Sequence, residues 1–329
     1  MTGPDRAVAA TRHAVRESVS DLPHGSTVLV AVSGGADSIA LAAAVAFVAE
    51  REGLRHCAVI VDHQLQPGSA DVAHAVSQRL IPLGFDPVLV RAVSVGDHGG
   101  PEAAAREARY AALHEVADEV EAAVILLGHT LDDQAESILL GLARGSGARS
   151  LSGMAQINGR LRRPLLAVTR ATTRRACEAQ SLEVWDDPHN RDLVYRRVRV
   201  REQVIPVLEE HLGPGISEAL ARTADLLRHD DAALERWAED ISLKACVDTD
   251  EGVGLDIDVL DTAPEAVRRR IIRSAALLVG VPGGDLRASH LTDIDSLVSS
   301  WKGQGAVHLP GGVRAWRSCG RLLIARPLE

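Results

Sequence analysis

The stretch from residue 28 to residue 49, VLVAVSGGADSIALAAAVAFVA, leaves this chain few ways to fold. Val28 to Val32 is an apolar, β-branched run of the kind that forms a buried strand. It stops at Ser33-Gly34-Gly35-Ala36-Asp37-Ser38, and an alanine-rich apolar helix follows from about Ile39. Strand, glycine turn and helix start together make an anion cradle. Glycine lets the backbone come close to a phosphate, and the unpaired N–H groups of the helix start point at it. The hexapeptide lacks the Gly-Lys-Ser/Thr of a Walker loop and the wider glycine spacing of a dinucleotide site. It also puts a carboxylate, Asp37, where phosphates would sit. An acid beside phosphates repels them unless a cation lies between, so Mg2+ bridging Asp37 and a pyrophosphate is expected. The competing account is that Asp37 merely caps the helix and meets its dipole.

Alternating elements continue to about residue 211. A helix is expected over residues 1–22, with strands over Cys57–Val61, Pro87–Val93 and Ala123–Leu127. Further helices fall at Ser69–Leu83, Pro101–Val120, Asp132–Ala143, Thr169–Ser181 and Glu202–His211. Alternation without a hairpin signal predicts a doubly wound parallel α/β sheet, whose ligands bind beyond the carboxyl ends of its strands. Three such ends carry chemistry-bearing residues: Ser33 to Ser38, Asp62-His63, and His129 to Glu136. In the last, Asp133 lies four residues from His129 and three from Glu136, one helical turn from each. Asp132, Asp133 and Glu136 suit Mg2+ or a cationic amine; simple capping of the helix start is the alternative. Asp62-His63 is placed to grip the adenosine side of a nucleotide. Arg106 and Arg109 read either as surface ion-pair partners or as phosphate contacts.

Gly213-Pro214-Gly215 marks a boundary. The expected organisation is a catalytic domain over 1–212, a linker helix within 213–247, and a smaller α+β domain over 248–329. That last part holds a short strand at 254–259, helices from Pro264 and over 287–300, and hairpin-like strands at 306–309 and 313–325.

A net charge of −9 argues against a nucleic-acid partner, but its distribution argues for one. Residues 144–201 hold thirteen arginines against five acids, a net +8 that leaves −17 on the rest. Such a basic belt suits a phosphate-rich partner; a solvated, salt-bridged surface is the alternative. The four cysteines lie far apart with no CxxC pair, which excludes a zinc ribbon and fits thiols in a reducing compartment. No run of about 18 apolar residues occurs, so a cytoplasmic protein without a membrane segment is expected.

Ser33-Gly34-Gly35-Ala36-Asp37-Ser38 resembles the SGGxDS loop of the N-type ATP pyrophosphatases, whose sheet is of the adenine nucleotide α-hydrolase-like type. That superfamily splits ATP between its α and β phosphates and adenylates a carbonyl-type oxygen. Five further motifs follow in order: EAAAREARY from Glu102, GHTLDDQAE from Gly128, RGSGARSLSGM from Arg144, RPLL from Arg163 and WDDPHNRDLVYRRVRVR from Trp185. Over about residues 25–210 they resemble the tRNA(Ile)-lysidine synthases. The C-terminal third is compatible with the tRNA-binding domain of that family.

The resemblance implies a ligase that uses ATP to adenylate the C2 oxygen of the wobble cytidine in an isoleucine tRNA with a CAU anticodon. The ε-amine of free L-lysine then displaces AMP and forms lysidine, so that the tRNA reads AUA. Ser33, Gly34, Gly35, Ala36 and Ser38 would hold pyrophosphate, and Asp37 would hold Mg2+. Asp62 and His63 would lie on the adenosine side, with His129 in polar contact with nucleotide or base. Asp133, with Asp132, would place metal or the lysine amine, and Glu136 would complement its charge. Arg106, Arg109, Arg144, Arg149, Arg163, Arg196, Arg197, Arg199 and Arg201 are assigned to phosphates of ATP or tRNA. Trp185, Tyr195 and Tyr110 are candidates to stack on a base, burial being the simpler account of each. A homodimer stays open. The rivals are another loop-sharing adenylating enzyme, such as a tRNA thiolase or an amidotransferase-type synthetase, and a non-catalytic nucleotide-sensing binder. Thiolases of that kind carry paired CxxC cysteines, absent here, and the intact acids argue against the binder.

Overall fold

A computed structural model describes residues 3–64, 68–93, 101–145, 147–187, 192–249 and 252–326. The chain divides into two compact units between Leu226 and Leu227.

The first unit runs α1 (Arg6–Val19), β1 (Thr27–Ala31), α2 (Ala36–Glu52), β2 (Arg55–Asp62), α3 (Ser69–Leu80), β3 (Val88–Ala92), α4 (Pro101–Glu119), β4 (Ala122–Leu127) and α5 (Leu131–Ala143). The short α6 (Ala148–Leu151), β5 (Ile157–Asn158) and β6 (Leu161–Arg162) precede α7 (Arg170–Ala179). Then come α8 (Arg196–Arg199), a π-helical turn (Val200–Val204), α9 (Ile205–Leu212) and the long α10 (Ile216–Ala245), within which the division falls. The sheet order is β3-β2-β1-β4-β6-β5. All its pairings are parallel except β5 with β6. The expected doubly wound parallel sheet is present, with one antiparallel hairpin, β5 with β6, at its edge. The hairpin escaped notice because strands of two residues are too short to show alternation.

Both faces of the sheet are covered, which is why its strands read as unbroken apolar runs. Val28 and Val30 join one cluster with residues of α1, α2, α3 and α7. Leu29 joins the opposite one with Leu113, Val116 and Ala117 of α4. The chain lays β1, β2 and β3 outward in one direction, then returns to place β4 on the other side of β1. Ala31 is paired with Leu127, so the loops leaving β1 and β4 emerge side by side at this switch point. Gly128 permits their contact: a Cβ there would lie 3.2 Å from the backbone of Asp37 and Ser38.

The second unit takes the remainder of α10, then β7 (Cys246–Val247), β8 (Val253–Asp256), α11 (Ile257–Asp261), α12 (Glu265–Leu278), α13 (Ala288–Ser299), β9 (Val307–His308), β10 (Arg314–Ser318) and β11 (Arg321–Ala325). Its sheet, β7-β8-β11-β10-β9, is antiparallel throughout. Its core includes Leu255, Leu260, Ile271, Ile272, Leu297, Leu322 and Ile324. The strand expected at 254–259 ends early because the Asp256 side chain accepts from the amides of Asp258 and Val259 and starts a helix there. The span 313–325 is two strands, turned at Cys319 and Gly320 with φ of +47° and +74°. No helix among the described residues is long and apolar enough to cross a membrane.

Candidate active site

Two helix starts meet at the switch point, and they differ. At α2 the cap residue, Gly35, supplies no side-chain acceptor, so no side chain of the cap covers the first amides. The loop before it is braced from within. The Ser38 hydroxyl donates to the Gly35 carbonyl at 2.9 Å and accepts from the Ser33 amide at 3.2 Å; the Ser33 hydroxyl lies 3.3 Å away. Gly34 has φ +88°, and a Cβ there would come within 2.6 Å of Val76 Cγ2. The Trp185 amide donates to the Gly34 carbonyl at 2.8 Å, bringing the segment after α7 across the loop. Trp185 itself is 38% exposed.

At α5 the helix start is filled from inside. Asp133 Oδ2 accepts from the Thr130 amide at 2.8 Å and the Thr130 hydroxyl at 2.9 Å, closing a capping box. Capping thus occupies one oxygen of Asp133, and the other faces the crevice.

Four acids converge there on Arg170, at the first position of α7. Arg170 Nε donates to Asp37 Oδ2 at 3.4 Å and Nη2 to Asp133 Oδ1 at 3.0 Å. Nη1 donates to Glu136 Oε1 at 3.3 Å, and the backbone amide to Asp132 Oδ2 at 2.7 Å. Thr173, one turn on, donates to Asp37 Oδ1. Glu136 is fully buried and also accepts from Arg201 Nε at 2.7 Å, with Arg197 Nε 3.9 Å from its second oxygen. Arg197 donates to the Ser137 hydroxyl at 2.8 Å. Sequence reasoning counted Arg170 only within the belt and passed over Thr173. One signal was legible: an arginine in the first turn of a helix opposes the macrodipole, so something else must hold it.

Burial pushes the Asp37 carboxyl up, beyond what Thr173 and Arg170 restore, and the neighbouring charge of Asp133 adds to the rise. Burial works the same way on Asp133, but Arg170 and the Thr130 donors outweigh it and hold that carboxyl below the usual range. Arg170 is raised despite burial, by Asp133, Glu136 and Asp37 in turn.

Beside the acids lies a basic pocket. Burial and the Arg109 charge push His129 down to about 3, and the same two causes lower His63. Both rings are therefore neutral at pH 7, and each has a buried Nδ1 without a partner among the described residues. Arg109, lowered by burial, has no ion pair among the described residues and packs near the Tyr110 ring, 6.0 Å from its centroid. Arg106 lies 4.9 Å from the same ring. Arg163 is buried, donating to the Ala155 carbonyl at 2.8 Å and the Tyr110 hydroxyl at 3.5 Å. Asp62 is also buried, and its Oδ1 accepts from the Gln64 amide at 2.9 Å, shaping its own turn.

The basic belt is not one continuous free face. Arg160 pairs with Asp118, Arg162 with Asp21 at 2.5 Å, Arg174 with Asp186 at 3.2 Å and Arg175 with Asp5 at 3.1 Å. Arg199 donates to the carbonyls of Leu193 and Val194 at 2.7 and 2.9 Å. Arg144, Arg149 and Arg196 are exposed. Arg191 lies outside the described residues.

The donor set suits Mg2+. Asp37 and Asp133 offer hard carboxylate oxygens from two elements toward one point. No cluster of three or more His, Cys, Asp or Glu ligands occurs among the described residues, so substrate phosphates would complete the shell, as they commonly do for this ion.

Residues 9–208 match the PP-loop domain family model, and residues 255–323 match the TilS substrate binding domain. A tRNA(Ile)-lysidine synthase of Thermobifida fusca is 53% identical over 330 residues, covering 99% of both chains. The enzyme of the same name from Streptomyces coelicolor is 52% identical over 351 residues, covering 98% of this chain and 99% of its own. In fold, the chain is similar to a solved U34-tRNA thiolase, NcsA, of Methanococcus maripaludis, with its 4Fe-4S cluster. The TM-score is 0.57 at 19% identity, over 68% of this chain and 80% of that one.

Proposed function

The chain belongs to the tRNA(Ile)-lysidine synthase family, and on that premise we propose how its residues join L-lysine to the wobble cytidine of tRNA(Ile). It is a ligase that forms a C–N bond and consumes ATP. The observation that carries the reading is the meeting of an uncapped helix start at Gly35 with four acids gathered by Arg170.

The amides of Gly34 and Gly35, with the hydroxyls of Ser33 and Ser38, bind the pyrophosphate end of ATP. Arg109, with no acid partner among the described residues, takes phosphate charge, and the neutral rings of His63 and His129 face nucleotide or base. The cytidine C2 oxygen attacks the α-phosphorus and pyrophosphate leaves. The lysine ε-amine then attacks C2, the C2–O bond breaks, AMP departs and the proton lost by the amine passes to a crevice carboxylate. Asp133, held ionised below the usual range, draws the lysine ammonium toward the crevice by its charge. Glu136 acts one layer back, through Arg170 and Arg201. Asp37 and Asp133 would hold Mg2+, which when bound supplies charge neutralisation at the leaving pyrophosphate. An anticodon loop presents unpaired bases, so the cytidine is reached without opening a duplex. Exposed Arg144, Arg149 and Arg196 are the candidates for tRNA phosphates. An enzyme of this chemistry would work where its tRNA is, in the cytoplasm.

The test is incubation with ATP, radiolabelled lysine and unfractionated tRNA. Label is expected in an isoleucine tRNA with a CAU anticodon; AMP release needing neither tRNA nor lysine would sink the proposal. Asp37→Ala is expected to abolish AMP formation while leaving the unfolding transition in place, and normal turnover in that variant would remove the metal role.

A further inference from the structure

Arg170 is the hub of the acidic crevice. Each of its nitrogens meets a different acid: the amide meets Asp132, Nε meets Asp37, Nη2 meets Asp133 and Nη1 meets Glu136. Asp37, Asp132 and Asp133 come from the first turns of α2 and α5, which leave different strands of the sheet, and Glu136 from the following turn of α5. Acids this close repel one another, and the repulsion must be relieved before they can share a crevice. A planar guanidinium with five donors relieves it and fixes directions as well; an ammonium is a point charge that would do only the first. The side chain is 17% exposed and sits against the dipole of its own helix, so its place is set by the acids and not by α7.

We propose that Arg170 is a positioning residue for lysine transfer. It fixes the angle between Asp37 and Asp133 and limits how strongly the crevice attracts an incoming cation. The proposal rests on the lysidine-forming reading above. Its two effects have opposite signs. The positive charge weakens the pull of Asp37 and Asp133 on an ammonium or a divalent ion. The forked contacts hold the carboxylate oxygens where the chemistry needs them. Removing the guanidinium therefore tightens cation binding and slows turnover together, whereas loss of a merely structural residue weakens both.

The experiment compares wild type with Arg170→Gln and Arg170→Lys. Mn2+ is titrated without ATP or tRNA and followed by electron paramagnetic resonance. Arg170→Gln is expected to bind Mn2+ about tenfold more tightly, and Arg170→Lys about as wild type does. In steady-state lysine incorporation, Arg170→Gln is expected to lower the lysine KM and to lower kcat by about tenfold or more. Arg170→Lys keeps the KM and loses kcat, because it keeps the charge and not the fork. Unchanged or weaker Mn2+ binding by Arg170→Gln overturns the proposal, as does wild-type kcat in Arg170→Lys. If Arg170→Gln does not fold, Arg170→Lys carries the decision alone. If wild type incorporates no lysine, the lysidine reading fails, and the Mn2+ titration still decides the role of Arg170.

Discussion

At Gly128 a missing side chain matters more than most that are present: its hydrogen is what lets the backbone of Asp37 and Ser38 approach the end of β4. His129, the next residue, makes a pH prediction. Its pKa is about 3 in the folded chain against the ordinary 6.5, so between those values the unfolded chain binds a proton that the folded one refuses. Stability therefore falls as pH drops below 6.5. The unfolding midpoint is expected to decline from pH 7 to pH 5, and His129→Gln to flatten that decline; an unaltered slope would contradict the assignment. The thiols make another. Cys57 and Cys177 are buried and pushed up to about 11 by burial, while Cys246 and Cys319 are exposed. Thiol labelling at pH 8 is expected to modify Cys246 and Cys319 quickly and Cys57 and Cys177 only after denaturation, as peptide mapping would show. Asp37 and Asp133 were legible from sequence because each follows a strand end within a helix start. Arg170 was not, because its partners lie 133 and 37 positions away.

Among the elements, α5 has the most to lose at its start. Thr130→Ala removes the hydroxyl that bonds Asp133 and should cost about 1 kcal/mol in a urea titration. It should also raise the lysine KM, since Asp133 then swings more freely; a stability loss with unchanged KM would detach the cap from the site. Periodicity located the long helices and the four main strands to within a few residues, because two-sided burial forces apolar runs. The π-helical turn at Val200–Val204 was beyond such reading. It lies in the helical stretch that brings Arg201 to Glu136, and hydrogen-bond register of that kind leaves no mark in an apolar pattern. The strand expected to reach 259 gave way to α11 for a related reason: a single capping aspartate outweighed β propensity.

For the whole molecule, formal charge misleads in both directions. The net −9 hides a basic segment, and the basic segment hides how many of its arginines are already committed. Replacing exposed Arg144, Arg149 and Arg196 together with glutamine is expected to weaken tRNA binding and to make its dependence on log salt shallower by about two to three. An unchanged slope in filter binding would move the tRNA contacts elsewhere. In the second unit, Arg268 and Asp295 form a buried pair at 2.5 Å, which composition alone could not distinguish from surface charge. Gly213-Pro214-Gly215 precedes α10, the helix expected as a linker, and the division of the chain falls within that helix.

The crevice acids also precede their counter-charges in the chain. Glu136 comes 34 positions before Arg170 and 65 before Arg201. During synthesis, β1 to β4 are all in hand by Leu127 and the crevice acids by Glu136, before either arginine that will hold them has been made. A growing chain can lay down most of its sheet early but can close its crevice only when α7 and the helix beyond it emerge. Birth order thus leaves the crevice at the ends of β1 and β4 incomplete until both Arg170 and Arg201 have been made.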